Sequence, residues 1–188
     1  MKSVLSILIL CYAVSLPAQT LPFSSITTYP DTYTAGSVAA RMIDGLGFRF
    51  YWATEGLNEK DLAYKPSSDA RSCQETIEHI YEMSFMAMNA PLKKVNVNGQ
   101  DVKLPFAEMR KKTLENLKAA SDLLRKATDQ DMKDFKVLYS DGRKLYEYPF
   151  WNLINGPIED CVWHAGQIVA FRRASGNPIA EKDFFMGK

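Results

Sequence analysis

The sequence predicts an all-α fold, a four-helix bundle with small β-hairpin inserts in its connections. Apolar residues recur at three- and four-residue spacing in four stretches, each long enough for an amphipathic helix. Long strand-like runs are lacking between these stretches, which favours a helical bundle. The chain has 188 residues, 46% of them hydrophobic and 24% charged, a composition typical of one soluble globular domain.

The first two predicted helices have different start signals. Helical periodicity over 35–56 indicates the first helix through its apolar spacing alone. Before the second helix, Ser72 and Glu75 form a capping-box pattern, in which each side chain satisfies a backbone N–H group of the other. We place that helix from Ser72 to about Asn89 and expect Pro91 to end it.

The third and fourth predicted helices are delimited by proline and glycine. The third runs from about Pro105 to Thr128. For the fourth, the sequence leaves two starts open, Trp151 or Pro157, and proline is favoured at a first helical position. Its end is clearer, because Ser175-Gly176-Asn177-Pro178 combines a C-cap glycine with a helix breaker.

Two dipeptides predict small β-hairpins between the helices. Asn98-Gly99 and Asp141-Gly142 each favour the tight turn of a two-stranded hairpin. The flanking strand-like runs are 95–97 with 102–104, and 135–139 with 145–148. We therefore expect one hairpin before the third helix and one after it.

The N-terminus has the layout of a secretory signal peptide. A short positive start is followed by an apolar run over 4–14, which is too short to span a bilayer as a helix. We expect cleavage after Ala18 or Gln19 and a periplasmic or secreted protein without a membrane span. The predicted organisation is a signal peptide at 1–19, an extension at 20–34, the bundle at 35–178 and a tail at 179–188.

The charge balance argues against a nucleic-acid partner. Lys and Arg number 23 against 22 Asp and Glu, so the formal net charge is only +1. Basic residues do cluster on the third helix, but acidic residues are interleaved with them. That mixture favours a solvated face. The residues concerned are Arg110, Lys111, Lys112 and Lys118, with Glu108, Glu115 and Asp122.

Two cysteines, Cys73 and Cys161, remain after removal of the signal peptide. An exported protein permits a disulfide between them, but the sequence leaves both a disulfide and two separate thiols open. Cys73 stands at a helix start beside Arg71, where a thiolate would be stabilised. A nucleophilic role is nevertheless disfavoured, because His79 lies nearly two helical turns further along.

The strongest chemical candidates are His79, Asp160 and His164. Asp160 and His164 are four residues apart on the fourth predicted helix, so their side chains share one face. With His79 from the second helix they would form a two-histidine, one-carboxylate set suited to Zn²⁺, Ni²⁺, Mn²⁺ or Fe²⁺. Two other interpretations stay open: hydrogen-bonded structural histidines, and an aspartate that only stabilises a helix start.

Two blocks of the chain resemble the DinB/YfiT-like family. The first block is Leu62-x-x-x-Pro66 followed by Ser72-x-x-Glu75-x-x-x-His79-Ile80. The second is Asp160-x-x-x-His164-x-Gly166-Gln167-Ile168, continuing to Arg172-x-x-x-Gly176-Asn177-Pro178. The resemblance extends over about 35–178 and is specific at these two blocks.

The resemblance implies a four-helix bundle, often dimeric, in which three histidines commonly bind a divalent metal. His79 and His164 match two of those positions, and Asp160 stands where the third histidine would be. Aspartate there either serves as a ligand or marks a member that has lost the metal.

The resemblance also implies a metal-dependent transferase or hydrolase acting on a small molecule, with a low-molecular-weight thiol as a possible second cofactor. Glu75 and Glu82 could orient His79 or act as a base, and Gln167 could hydrogen-bond a substrate or cofactor. A homodimer is a further expectation. The alternative is a non-catalytic exported helical-bundle binding protein that has lost the metal site.

Overall fold

The computed structural model of the protein describes residues 20–97 and 103–188. The predicted signal peptide and the Asn98-Gly99 turn lie outside these residues. In chain order the elements are α1 (Ala35–Thr54), α2 (Glu59–Ala63), α3 (Cys73–Leu92), β1 (Val95–Val97), α4 (Phe106–Arg125), α5 (Asp129–Asp134), β2 (Lys136–Ser140), β3 (Leu145–Pro149), α6 (Trp151–Leu153), a π-helical segment (Ile154–Ile158) and α7 (Glu159–Ser175).

The strands form one mixed sheet, so the prediction of an all-α four-helix bundle with hairpin inserts was wrong. The sheet order is β1-β2-β3, with β1 parallel to β2 and β2 antiparallel to β3. β1 was expected to belong to a local hairpin, but Val95 pairs with Leu138 of β2 instead. A parallel pair needs a long crossover, here including α4 and α5, and local turn signals do not reveal such a pairing. The described residues form a mostly helical fold with a three-stranded sheet.

The predicted hairpin at Asp141-Gly142 is confirmed as the connection between β2 and β3. The Asp141 carboxylate accepts the backbone N–H groups of Arg143 and Lys144, both at 2.8 Å. Gly142 has a φ of +85°, a conformation that glycine adopts without strain. Aspartate and glycine therefore shape this turn for separate physical reasons.

The capping box at the start of α3 is confirmed. The Ser72 hydroxyl accepts from the N–H of Glu75 at 3.1 Å, and the Glu75 carboxylate accepts from the N–H of Ser72 at 2.6 Å. We predicted that Pro91 would end the helix, but Pro91 lies inside its last turn. α3 continues to Leu92 and stops at Lys93, whose φ is +53°.

The third predicted helix was too long at its C-terminal end. α4 stops at Arg125, and Thr128 is instead the N-cap of the short helix α5. The fourth predicted helix begins neither at Trp151 nor at Pro157 as one regular element. Trp151 opens α6, Pro157 lies in the π-helical segment, and α7 starts at Glu159.

Arginines from two other helices donate hydrogen bonds to the backbone carbonyl oxygens at the C-terminal end of α1. The last turn of α1 has no basic residue of its own. Arg172 of α7 donates from Nη1 to three carbonyl oxygens at 2.9–3.2 Å, those of Trp52, Ala53 and Glu55. Arg110 of α4, predicted to lie on a solvated face, is only 9% exposed and donates to the carbonyl oxygen of Tyr51. Both arginines supply donors to carbonyl groups that a helix end leaves unpaired.

The core lies among the four long helices. α1 packs against α4 and α7, and α3 packs against the same two helices as well as against β1 and β2. Among the residues that the structure describes, no helix has the length and apolar character needed to cross a membrane. α3 therefore contacts α7 as well as the sheet, and the candidate site described below lies on this part of α3.

Candidate metal centre

The three residues predicted as metal ligands lie together. His79 projects from α3 and meets Asp160 and His164 on α7, the neighbouring helix. One ligand atom from each residue can be chosen so that all three atoms lie within 4.8 Å of one another. The arrangement can hold a metal ion, because two imidazoles and a carboxylate are a usual donor set for a divalent transition metal.

Asp160 is the centre of the group. Its Oδ2 lies 2.9 Å from Nε2 of His79, and its Oδ1 lies 3.4 Å from Nε2 of His164. The two imidazole rings meet edge to face, with centroids 4.9 Å apart and an interplanar angle of 88°. Both histidines therefore present the same nitrogen to the same carboxylate.

An irregular segment precedes Asp160 and sets where α7 begins. Gly156 has φ −95° and ψ −106° inside the π-helical segment, and Pro157 follows with no N–H group to donate. Glu159 and Asp160 then occupy the first turn of α7, and one of the interpretations left open by the sequence had placed Asp160 at a helix start. The helix dipole favours a carboxylate there. This role in the helix start is compatible with ligation, since Asp160 still faces both histidines.

Gln167 orients His164. The Oε1 atom of Gln167 lies 2.7 Å from Nδ1 of His164, one turn back along α7. With Oε1 as the acceptor, Nδ1 carries the proton and Nε2 of the neutral ring is left with a lone pair. Hydrogen bonds of this kind fix the tautomer of metal-binding histidines. The predicted contact of Gln167 with a substrate or cofactor stays a prediction.

The Nε2 lone pair of His164 and the carboxylate of Asp160 together favour a positive charge between them. A lone pair on Nε2 of His164 would face the negatively charged Oδ1 of Asp160 at 3.4 Å. Two acceptors at this separation repel each other, and a proton on the ring or a cation between them would remove that repulsion. Donors around a four-coordinate zinc ion, at about 2.0–2.1 Å from it, are separated by roughly 3.3 Å, so this pair already has a suitable spacing.

The centre is accessible from one side. The His79 and His164 side chains are 21% and 14% exposed, whereas the Asp160 side chain is 40% exposed. The histidines are thus packed into the protein, and the carboxylate opens toward solvent. An open side is the feature that separates catalytic from purely structural metal sites.

The two glutamates proposed to assist His79 have different surroundings in the structure. Glu75 is engaged at the start of α3, where hydrogen bonds from Ser72 and the ion pair with Lys65 lower the pKa of its carboxyl to about 2. Glu82 is exposed and lines a cavity beside α3. Of the two, Glu82 is therefore the one placed to meet a ligand.

Cys73 and Cys161 are free and buried, at 0% and 2% exposure. Burial, with a smaller effect of Asp61, raises the pKa of Cys73 to about 12, the opposite of an activated thiolate. Burial likewise raises the pKa of Cys161. Neither thiol is suited to act as a nucleophile in the folded protein.

Comparison with known proteins identifies no relative, since no family model, curated protein or solved structure matches the chain. Sequence reasoning also missed three features of the structure. These are the contact of Gln167 with His164, the capping of α1 by Arg172 and the cavity lined by Glu82. Only the first had a local signal, the three-residue spacing of His164 and Gln167 on one helix face.

Proposed function

We propose that this protein is an exported, divalent-metal-dependent enzyme, a transferase or hydrolase that acts on a small molecule. His79, Asp160 and His164 would hold the ion, with Zn²⁺, Ni²⁺, Mn²⁺ and Fe²⁺ as candidates. The observation that carries the proposal is the convergence of both Nε2 atoms on one carboxylate that is open to solvent. Membership in the DinB/YfiT-like family is part of the proposal and is supported by the two motif blocks.

The residues have distinct tasks in this proposal. Asp160 supplies negative charge at the centre, and Gln167 keeps the proton of His164 on Nδ1 so that Nε2 stays free. A bound divalent ion would lower the pKa of a coordinated water or thiol and so supply a nucleophile at neutral pH. The exposed side of Asp160 leaves room for that water or thiol to enter.

The buried cysteines support an external nucleophile. Cys73 and Cys161 have raised pKa values and no access to solvent. A thiol used in the reaction would therefore have to come from a separate low-molecular-weight molecule, and water is the other choice. A thiol acceptor would make the protein a transferase, and water would make it a hydrolase.

A second candidate is a non-catalytic exported binding protein. It is favoured by one observation, the 2.9 Å contact between His79 and Asp160, which is a good hydrogen bond without any metal. If His164 is also protonated at Nε2, the whole group forms a satisfied polar network. The two candidates therefore differ in whether a metal ion or hydrogen-bonding protons lie between the ring nitrogens and the carboxylate.

Elemental analysis distinguishes the candidates. The mature protein, purified without chelator or histidine tag, is compared with His164→Ala and with the control Glu159→Gln, which removes an exposed acid one residue before Asp160. We expect near-stoichiometric metal in the wild type and the control, and loss in His164→Ala. A wild type that stays empty after incubation with each of the four ions would overturn the metal proposal and favour the binding protein.

A further inference from the structure

A cavity of about 720 Å³ lies between α3 and the sheet, beside the metal centre. We name it the α3–sheet cavity. Its wall contains Glu82 and Met83, one helical turn after His79, and Pro157, three residues before Asp160. The cavity and the metal centre therefore lie on the same side of α3, and both lie near the start of α7. A molecule bound at the Glu82 end of the cavity would lie about one helical turn from His79.

Four aromatic and two methionine side chains are among the residues of the wall. Tyr81 and Phe85 of α3 pack edge to face with centroids 5.1 Å apart, and Tyr139 and Tyr148 face them from the sheet. Met83 and Met86 contribute flexible, polarisable surface. Such a wall suits an apolar body, and the faces of tyrosine rings also attract a cation.

Glu82 is the only charged side chain among the described residues that line the α3–sheet cavity. It is exposed, and it follows His79 by three residues, so it lies at the end of the cavity closer to the metal centre. The described lining contains this carboxylate and no basic residue. An anionic ligand is disfavoured and a cation is favoured.

The wall is held in place by a chain of amides. Nδ2 of Asn89 on α3 donates to Oδ1 of Asn96 on β1 at 2.8 Å, and Nδ2 of Asn96 donates to the carbonyl oxygen of Leu138 on β2 at 2.9 Å. These bonds connect the helix to two strands across the cavity floor. They hold α3 against the two strands in the absence of any ligand.

We propose that the α3–sheet cavity binds an organic amine, with the ammonium group between Glu82 and the tyrosine faces and the apolar chain against Met83 and Met86. This inference rests on the proposed function and deepens it, because it assigns a cationic, partly apolar substrate class to the metal centre. The cavity has its own contacts, however, and binding to it can be measured without metal.

Three probes with the same phenylbutyl body test the charge preference: 4-phenylbutylamine, 4-phenylbutanol and 4-phenylbutyrate. Each is titrated calorimetrically into the metal-free mature protein at pH 7. We expect the amine to bind about fivefold more tightly than the alcohol, the scale of one exposed cation–π or ion-pair contact, and the carboxylate to bind most weakly. Glu82→Gln should reduce the difference between amine and alcohol to the part that the tyrosine rings contribute. The control Glu78→Gln changes an acid of α3 that pairs with Gln74 and should preserve the difference.

Tyr148→Ala provides a second variant, because Tyr148 is 42% exposed and can be truncated without opening the core. We expect weaker binding of all three probes, with the largest loss for the amine. Equal affinity of the three probes, no binding of any probe, or an amine preference that is undiminished in Glu82→Gln would each overturn the inference. His164→Ala should keep the amine preference while it loses metal, so failure of the cavity and failure of the metal centre give different results.

Discussion

Nε2 of His79 lies 2.9 Å from Oδ2 of Asp160, although the two residues are separated by 81 positions in the sequence. The contact exists because α3 and α7 pack side by side and because the π-helical segment starts α7 just before Asp160. The candidate metal centre is therefore a product of helix packing. Its chemistry can be tested through the residues that orient it.

Gln167→Ala should weaken metal binding without abolishing it. The substitution removes the acceptor that holds the proton on Nδ1 of His164, and loss of such a supporting bond typically costs about 10–100-fold in metal affinity. Gln167→Glu retains an acceptor oxygen and should restore the affinity. Competition with a chromophoric chelator measures all three proteins.

The control for that series is Gln74→Ala, which removes a glutamine of α3 bonded to Glu78 instead of to a histidine. Its metal affinity should equal that of the wild type. If Gln167→Ala also binds metal as the wild type does, Gln167 has no orienting role.

Arg172→Lys should destabilise the protein by about 3 kcal/mol, the scale expected when hydrogen bonds from a charged donor are lost and buried carbonyl groups are left unpaired. Arg172 is 4% exposed, and its planar guanidinium donates from Nη1 to three carbonyl oxygens at the end of α1 and from Nε to the carbonyl oxygen of Asn177. A single ammonium nitrogen cannot reproduce these two separate donor positions. Urea denaturation measures the loss as a lower midpoint at unchanged slope.

Arg173→Lys is the matched control, because Arg173 is the exposed neighbour of Arg172. We expect a change within about 0.5 kcal/mol. Equal denaturation midpoints for Arg172→Lys and Arg173→Lys would refute the capping role.

Both cysteines should resist a disulfide reagent at pH 8 in the folded protein. Burial raises the pKa of Cys73 to about 12 and excludes the reagent from Cys73 and Cys161. In 6 M guanidinium chloride both thiols should react at once. A rapid reaction of the native protein would contradict the burial, and no reaction after denaturation without reductant would reveal a disulfide.

Glu75→Gln should reduce the loss of stability on acidification. The pKa of the Glu75 carboxyl falls from 4.5 to about 2 because the carboxylate accepts from Ser72 and pairs with Lys65. A carboxyl whose pKa is lower in the folded protein stabilises it above pH 4.5, and this stabilisation disappears as the pH falls toward 2.

The difference in unfolding free energy between wild type and Glu75→Gln should therefore be constant above pH 5 and shrink below it. Urea denaturation at several pH values measures it, with Glu78→Gln as the control acid on the same helix. A difference that does not change with pH would mean that Glu75 contributes through packing and not through charge.

Local signals in the sequence were sufficient for several parts of the structure. The Ser72 capping box, the Asp141-Gly142 turn and the glycine end of α7 each depend on bonds between residues a few positions apart. The spacing of Asp160 and His164 is likewise a property of one helix. Such features follow from backbone geometry and side-chain type, so the sequence by itself determines them.

The tertiary structure alone decides which segments that are distant in the sequence lie in contact. The parallel pairing of Val95 with Leu138, the reach of Arg172 to the end of α1 and the contact of His79 with Asp160 all join residues far apart in the chain. The α3–sheet cavity exists for the same reason. These features depend on the packing of whole faces against one another, and local spacing along the chain does not determine them. The two motif blocks led us to expect His79 near Asp160 and His164, but only the packing of α3 against α7 brings them into contact.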